Sequence, residues 1–296
     1  MWMINLDLLV VQKKLVLKNS LRWRLISYHK NDNQRRGVTA PSFFFCYVWF
    51  AAMNIKINQF ELKLIAIFAM TIDHIAWVFV AIESFLGQLM HFLGRLTAPI
   101  MCYFLAQGYC YSKDKKSYAL RLFVFALLAQ VPYSLMIHGY NQVFADFSLL
   151  IFQGNILFNL LIALFSLMLL HTCFSWLLKV ALLSLLFYLS TFLDWGIYII
   201  TFSLVLYYSH NDKKTQFYIY TITAMGLLLL ADRGYNPAMP SLSLNWFPLG
   251  ILIAPFTWYI YDGTLGSRWG GRYFFYAFYP VHMLILVSLA ILIDKI

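Results

Sequence analysis

Two ionisable residues lie side by side in the middle of an apolar segment. Asp73 and His74 interrupt the run 62–82, which is long enough to cross a bilayer. A helix rises about 1.5 Å per residue, so the pair lies roughly 17 Å from Leu62, close to the midplane of a hydrocarbon layer about 30 Å thick. Ionisable side chains are unfavourable at that depth, so the pair indicates a functional site that handles protons.

Adjacent residues on a helix point about 100° apart, so Asp73 cannot orient the ring of His74 and both need partners on other helices. One pairing joins Asp73 to Arg95 and leaves His74 free to act as a base or a nucleophile. Further polar residues within the predicted helices are Arg95, Gln107, Gln130 and His282. A single histidine such as His282 is more often an interhelical hydrogen-bonding residue, and glutamines commonly join helices.

The composition defines the class of protein. Hydrophobic residues make up 62% of the 296 residues and charged residues only 11%, and the mean hydropathy is +0.71. Globular proteins contain about 25% charged residues, so the chain is predicted to be an all-α, polytopic membrane bundle in contact with lipid. Six of the ten net positive charges fall in residues 1–52, and helix ends carry the rest, so no nucleic-acid partner is expected.

Nine apolar runs predict about nine transmembrane helices, with eight or ten as the alternatives. The runs are 62–82, 89–111 with a bend at Pro99, 119–138, 155–171, 176–193, 196–210, 217–230, 244–261 and 273–293. With the N-terminus in the cytoplasm, eleven of the Lys and Arg residues after Met53 fall in cytoplasmic segments, Arg95 lies within a run, and only Arg233 and Lys295 fall outside. Several runs are short, so tilted or re-entrant segments are an alternative.

Residues 1–52 differ from the rest of the chain. Basic residues are scattered through the first forty positions, and a short apolar patch with Ala51 and Ala52 imitates a signal peptide. Cleavage there would place Met53 outside, against the charge asymmetry. We interpret residues 1–52 as an extension, disordered or upstream of a true start at Met53, and 53–296 as the membrane domain.

Motifs of soluble enzymes and metal sites are missing from the sequence. No phosphate-binding glycine loop, GxSxG or HExxH occurs in a suitable context. The four cysteines have no CxxC spacing and are interpreted as packing residues, and no metal is expected. Lys113, Lys115 and Lys116 set the topology or contact the phosphates of an anionic cosubstrate.

Six short motifs, in order and spacing, resemble the TraX family, which includes the enzyme that N-acetylates conjugative pilin. They are Met70-Thr71-Ile72-Asp73-His74-Ile75, Gly94-Arg95-Leu96 with Pro99, Arg121-Leu122 with Gln130 and Tyr133, Gly154-Asn155-Ile156-Leu157-Phe158, Trp195-Gly196-Ile197 and Phe278-Tyr279-Pro280-Val281-His282. The resemblance covers residues 53–296. It implies a multi-pass acyltransferase of the bacterial inner membrane that uses cytoplasmic acetyl-CoA to modify a pilin or another envelope acceptor.

The same resemblance implies a set of site residues. The candidate catalytic residues are Asp73, His74, Arg95 and His282, and the candidate substrate-binding residues are Arg121, Gln130, Tyr133, Asn155 and Tyr279. A neutral histidine would take the proton of a pilin amine as it attacks the thioester, or would carry the acetyl group itself. Arg95 or the second histidine would stabilise the developing oxyanion.

Two other functions fit the same residues. The acceptor can be a sugar hydroxyl of an envelope glycan instead of an amine. Alternatively, Asp73, His74 and His282 can form the proton relay of a transporter, although no internal repeat typical of transporters is visible in the sequence. The acetyltransferase hypothesis further predicts that Asp73, His74, Arg95 and His282 converge on one interior cavity that opens to the cytoplasm.

Overall fold

The computed structural model describes residues 55–232, 245–267 and 271–293. The predicted extension 1–52 lies outside these residues. The described helices are α1 Gln59–Phe79, α2 Phe85–Gly94, α3 Thr97–Tyr111, α4 Lys115–His138, α5 Tyr140–Ala145, α6 Leu149–Phe152, α7 Ile156–Leu170, α8 Trp176–Ser190, α9 Ile197–Tyr208, α10 Lys213–Asp232, α11 Ala254–Tyr259 and α12 Gly271–Leu292, with a 3₁₀ helix at Phe247–Leu252. No strand occurs within the described ranges, so this part of the chain is all-α as predicted.

Helix α1 begins at a sequence-encoded cap. The Asn58 side chain accepts a hydrogen bond from the Glu61 N–H at 3.0 Å, and the Glu61 carboxylate accepts one from the Asn58 N–H at 2.8 Å. This reciprocal arrangement satisfies two N–H groups that the first helical turn would otherwise leave unpaired. The cap fixes where α1 begins. It therefore also fixes the position along the helix axis of Asp73 and His74, which lie about four turns further on.

The segment predicted as one bent span is two helices. Helix α2 ends at Gly94, Arg95 and Leu96 form a turn, and α3 begins at Thr97. Pro99 lies in the first turn of α3, four residues after Arg95, whose carbonyl it cannot hydrogen-bond, so the interruption of the span Phe85–Tyr111 occurs where a bend at Pro99 is expected. Proline lacks an N–H, and in the first turn that N–H has no intrahelical acceptor, so the residue is tolerated there. The break places Arg95 at a helix end inside the bundle.

Helix occurs in each of the nine predicted runs, but their lengths differ. Four segments are long and apolar enough to cross a membrane: Gln59–Phe79, Phe85–Tyr111, Lys115–His138 and Tyr273–Leu292. Helices α7, α8 and α9 are apolar but have only 15, 15 and 12 residues. Four candidate spans are thus established among the described residues, while nine spans and a cytoplasmic N-terminus stay predictions.

The core lies where α12 packs against α4 and α1, and where α9 packs against α3 and α7. Its largest fully buried side chains include Trp258, Tyr198, Tyr220 and Phe202. Helix α8 instead exposes large apolar side chains such as Trp176 and Val180, at 71% and 55% of their surface. A helix that exposes such residues fits a lipid environment better than water.

Candidate functional site

Asp73 and His74 project from α1 toward two different helices. The Asp73 carboxylate contacts α2, where it lies 2.9 Å from Nδ1 of His91. The His74 ring contacts α12, where its Nδ1 lies 2.6 Å from Nε2 of His282. Each residue therefore has its partner on another helix, as an angular separation of about 100° requires.

The Asp73–His91 pair is closely packed. The His91 residue is fully buried and Asp73 is 9% exposed. A Cβ on Gly94 would lie 2.3 Å from Oδ1 of Asp73, so glycine at this position lets α2 approach the carboxylate. A buried charge is tolerated only with a partner, and here that partner is an imidazole on the neighbouring helix.

Arg95 does not form the direct ion pair with Asp73 that the sequence suggested. Its guanidinium carbon lies 4.9 Å from the ring centroids of both Trp195 and Phe247, so the cation lies between two aromatic rings. Its charge also acts on the carboxylates of Asp73 and Asp194 over longer distances. The turn between α2 and α3 explains the difference, because it directs Arg95 toward α9 and the 3₁₀ helix while His91 occupies the position beside Asp73.

The His74–His282 pair has a defined direction of hydrogen bonding. Nδ1 of His282 lies 2.8 Å from the Phe278 carbonyl oxygen and must carry a proton to donate to it. In a neutral ring Nε2 of His282 is then an acceptor, so Nδ1–H of His74 donates to it. The lone pair of His74 is consequently on Nε2, where it can accept a proton or attack a carbonyl carbon.

Tyr279 lies next to this pair. Its ring centroid is 6.1 Å from that of His74 and 5.8 Å from that of His282. The side chain is 4% exposed, and its hydroxyl, which faces the Ile156 N–H at the start of α7, makes no hydrogen bond of ordinary geometry. Tyr279 also lines the cavity described next, so it connects the histidines to that space.

A cavity of about 660 Å³ extends from Tyr279 to the end of the bundle where α3 ends and α10 begins. That volume lies within the range of roughly 300 to 1,000 Å³ typical of small-molecule sites. Asp73, His74, Arg95 and His282 are not among its lining residues. Among the lining residues, Tyr279 has its ring beside both histidine rings, and Met70 is one helical turn before His74. The four candidate residues therefore do not line this cavity, against the expectation that they would converge on it.

Basic and aromatic side chains line this cavity together. Lys63 lies over the rings of Phe104 and Phe275, at 5.4 and 4.9 Å, and Arg121 lies 5.8 Å from the Tyr118 centroid. Lys213 donates a hydrogen bond to the Tyr261 carbonyl. Lys113, Lys115 and Lys116 do not belong to the lining, so Arg121 is the basic residue of segment 112–121 that faces the cavity.

An acidic residue lies among the lining residues at the open end. The N–H and hydroxyl of Thr264 donate to the Asp262 carboxylate, each at 2.7 Å, and they hold the pKa of that carboxyl below its usual range. Asp262 is therefore ionised at neutral pH and limits the positive charge at the entrance.

Gln130 and Asn155 have partners within the fold. The Gln130 amide donates to the Leu150 and Gln153 carbonyls at 2.9 and 2.8 Å, and it accepts from the Asn155 amide at 2.8 Å. Asn155 also accepts from the Leu157 N–H and so caps α7. Neither residue lines the cavity, whereas Arg121 and Tyr279 do. Tyr133 is 2% exposed, and its hydroxyl, which faces the Gln153 side chain, makes no hydrogen bond of ordinary geometry.

Sequence reasoning missed two residues of the buried cluster. His91 lies within the predicted run 89–111 but was not chosen as a site residue, although its position four residues before Arg95 places both on one face of the helix. Asp194 was not selected, although an acid between two apolar runs, next to the Trp195-Gly196 motif, was a signal for it. Within the described residues, no group of three or more His, Cys, Asp or Glu is arranged to hold a metal ion.

Comparison with known proteins gives two matches to this architecture. The family model described as TraX protein matches residues 59–290. The probable fimbrial assembly protein FimC, serogroup H1, of Dichelobacter nodosus is 44% identical over 236 residues, which are 79% of this chain and 96% of the relative. No solved structure matches.

Proposed function

Because the chain belongs to the TraX family, we propose that it is a membrane acetyltransferase that transfers the acetyl group of acetyl-CoA to the N-terminal amine of a pilin or a pilin-like protein. In this proposal it is a multi-pass protein of the bacterial inner membrane. Acetyl-CoA enters from the cytoplasm as a cosubstrate, and the acceptor is an envelope protein. The relative's description as a fimbrial assembly protein supports an acceptor of this kind.

The observation that carries the proposal is the position of the His74–His282 pair behind the inner end of a basic, aromatic cavity. Coenzyme A carries phosphates and an adenine ring, which suit lysine, arginine and aromatic side chains. Lys63, Arg121 and Lys213 lie along the cavity with such rings beside them. An acetyl thioester at the inner end would lie next to Tyr279 and, behind it, the histidines.

The reaction assigned to these residues is a transfer from sulfur to nitrogen. The neutral amine attacks the thioester carbonyl carbon, a C–N bond forms, and the C–S bond breaks. Nε2 of His74 takes the proton that the amine loses and returns it to the departing thiolate. His282 holds the His74 ring through the 2.6 Å hydrogen bond and shares the positive charge that develops. Arg95 supports the site from the neighbouring helix end, because its charge acts on Asp73.

Reconstituted vesicles test this function. We expect the purified protein to transfer radiolabelled acetyl from acetyl-CoA to pilin, with the label at the N-terminal amine by mass spectrometry. His74→Ala should abolish transfer. Tyr220→Phe is the matched control, because it removes a buried hydroxyl that bonds the Ile251 carbonyl away from the site. Label on a glycan would change the acceptor, and solute flux without acetyl transfer would favour a transporter.

A further inference from the structure

A strained segment lies beside Arg95. Trp195 has a φ of 64°, a left-handed conformation that is rare for a bulky residue and that the surrounding structure must impose. The Asn159 side-chain amide donates to the carbonyls of Asp194 and Gly196, both at 2.7 Å, and the Asp194 N–H donates to the Gly154 carbonyl at 2.8 Å. These contacts fix the backbone of Asp194 and Gly196 on either side of Trp195, whose ring lies against Arg95.

Two buried hydroxyls without hydrogen bonds belong to the same region. Tyr133 and Tyr279 are 2% and 4% exposed, and neither hydroxyl has a partner of ordinary geometry. The Asp194 carboxylate acts electrostatically on both of them. Buried polar groups are normally paired, so unpaired hydroxyls beside a carboxylate indicate a place for a polar ligand.

The segment lies deep in the bundle. Helices α7 and α9 begin just after Gly154 and Gly196, and they end near one another, where the Tyr207 hydroxyl and Nε2 of His171 are hydrogen-bonded at 2.8 Å. With 15 and 12 residues they span only about 22 and 18 Å, whereas the hydrocarbon layer is about 30 Å thick. Their first residues are therefore near the level of His74 and on the side away from the cavity entrance.

We propose that Asp194, Tyr133 and Tyr279 bind the protonated primary amine of the acceptor. An ammonium has three N–H donors and a positive charge, and the cluster offers one carboxylate and two hydroxyl oxygens. A sugar hydroxyl has one donor and no charge, so the cluster selects an amine. This inference rests on the proposed function and adds which residues hold the acceptor amine beside the histidines.

The transfer from a bound ammonium releases one proton overall. The bound ammonium releases one proton to solvent, and the resulting amine attacks the thioester carbonyl as the C–S bond breaks. Its second proton passes through His74 to the thiolate. The products are the N-acetylated acceptor, coenzyme A and one proton. Tyr279, which contacts both the histidine rings and the cavity, lies between the two substrates.

Kinetics with a synthetic peptide that has a free N-terminal amine test the assignment. In Asp194→Asn and in Tyr133→Phe we expect the KM for the peptide to rise tenfold or more, with the KM for acetyl-CoA and the thermal stabilisation by acetyl-CoA unchanged. Tyr133→Phe removes only a hydroxyl that makes no hydrogen bond of ordinary geometry and leaves the ring in place, so it serves as the second variant if Asp194→Asn misfolds. Tyr220→Phe is the control for losing a buried hydroxyl elsewhere.

Three outcomes overturn the assignment. A wild-type KM for the peptide in both variants means that the cluster does not bind the amine. If Asp194→Asn weakens acetyl-CoA binding as much as it weakens peptide binding, Asp194 acts only by holding Arg95 in place. If the wild-type protein acetylates no amine, the proposed function is wrong as well, and that result is distinct because it appears before any variant is made.

Discussion

The buried cluster around Arg95 and the cavity beside Tyr279 both contain basic residues, but the surroundings of those residues differ. In the cluster, Arg95 lies between Trp195 and Phe247 and is 5% exposed, with Asp73 and Asp194 as nearby charges. In the cavity, Lys63, Arg121 and Lys213 line an open volume of about 660 Å³. The charges of the first region are compensated by the protein, whereas those of the second face a space that a ligand can enter.

Loss of a histidine should have the largest effect on activity. We expect His74→Ala and, separately, His282→Ala to lower the rate of acetyl transfer by about 10²- to 10⁴-fold, the range that general acid–base catalysis contributes. Acetyl-CoA should still stabilise both variants against heat, because the cavity does not include either residue. Single-turnover transfer with saturating acetyl-CoA measures the rate, and near wild-type rates in both variants would contradict a role in proton transfer.

A side chain added between α1 and α2 should destabilise the buried cluster around Asp73. In Gly94→Ala the new Cβ would overlap the Asp73 carboxylate, so we expect a loss of about 1 to 3 kcal/mol in the free energy of unfolding, together with reduced transfer. Gly226→Ala in α10 is the control, because a Cβ there meets nothing within 4 Å. The control should be neutral or slightly stabilising, since alanine favours helix. Thermal unfolding in detergent compares the two, and equal stability would argue against close packing at Gly94.

Neutralising the cavity lysine and arginine should have the smallest effect. We expect Arg121→Gln and Lys213→Gln to raise the KM for acetyl-CoA about five- to tenfold, more at low salt than at high salt, because their contacts with phosphate are electrostatic and partly solvated. The rate at saturation should stay close to that of the wild type. Lys116→Gln, in the first turn of α4 and outside the cavity lining, should leave this KM unchanged. The reverse pattern would assign the cosubstrate to the start of α4.

The sequence predicted the positions of the helices well because apolar length and polar breaks encode them locally. The predicted and observed ends agree within a few residues for α7, which was expected at 155–171 and lies at Ile156–Leu170. The bend predicted at Pro99 corresponds to the turn at Arg95 and Leu96 between α2 and α3, but its exact position and the direction in which Arg95 points were not predictable from the proline alone. Hydropathy also does not show whether a 12-residue helix such as α9 crosses a membrane. It reports how apolar a segment is, and not how deep in the bilayer the helix begins and ends.

The candidate site was predicted in part. Asp73, His74 and His282 stood out because ionisable side chains are rare in apolar helices, and the structure brings the last two within 2.6 Å. The partner of Asp73 was not predictable, since His91 and Arg95 lie one turn apart and only packing decides which of them meets the carboxylate. The side chains of Gln130 and Asn155 are hydrogen-bonded to each other. Sequence spacing does not predict such a contact between residues on different elements.

What the sequence determined by itself is the class of the molecule, the order of its helices and the presence of an acid and an imidazole in an apolar helix, because burial and helix formation follow from local composition. The tertiary structure alone decided that His74 meets His282, that Asp73 meets His91 and that the cations near the cavity come from α1, α4 and α10. These contacts join residues far apart in the chain, and their geometry depends on how closely helices can pack, which a glycine such as Gly94 sets in three dimensions.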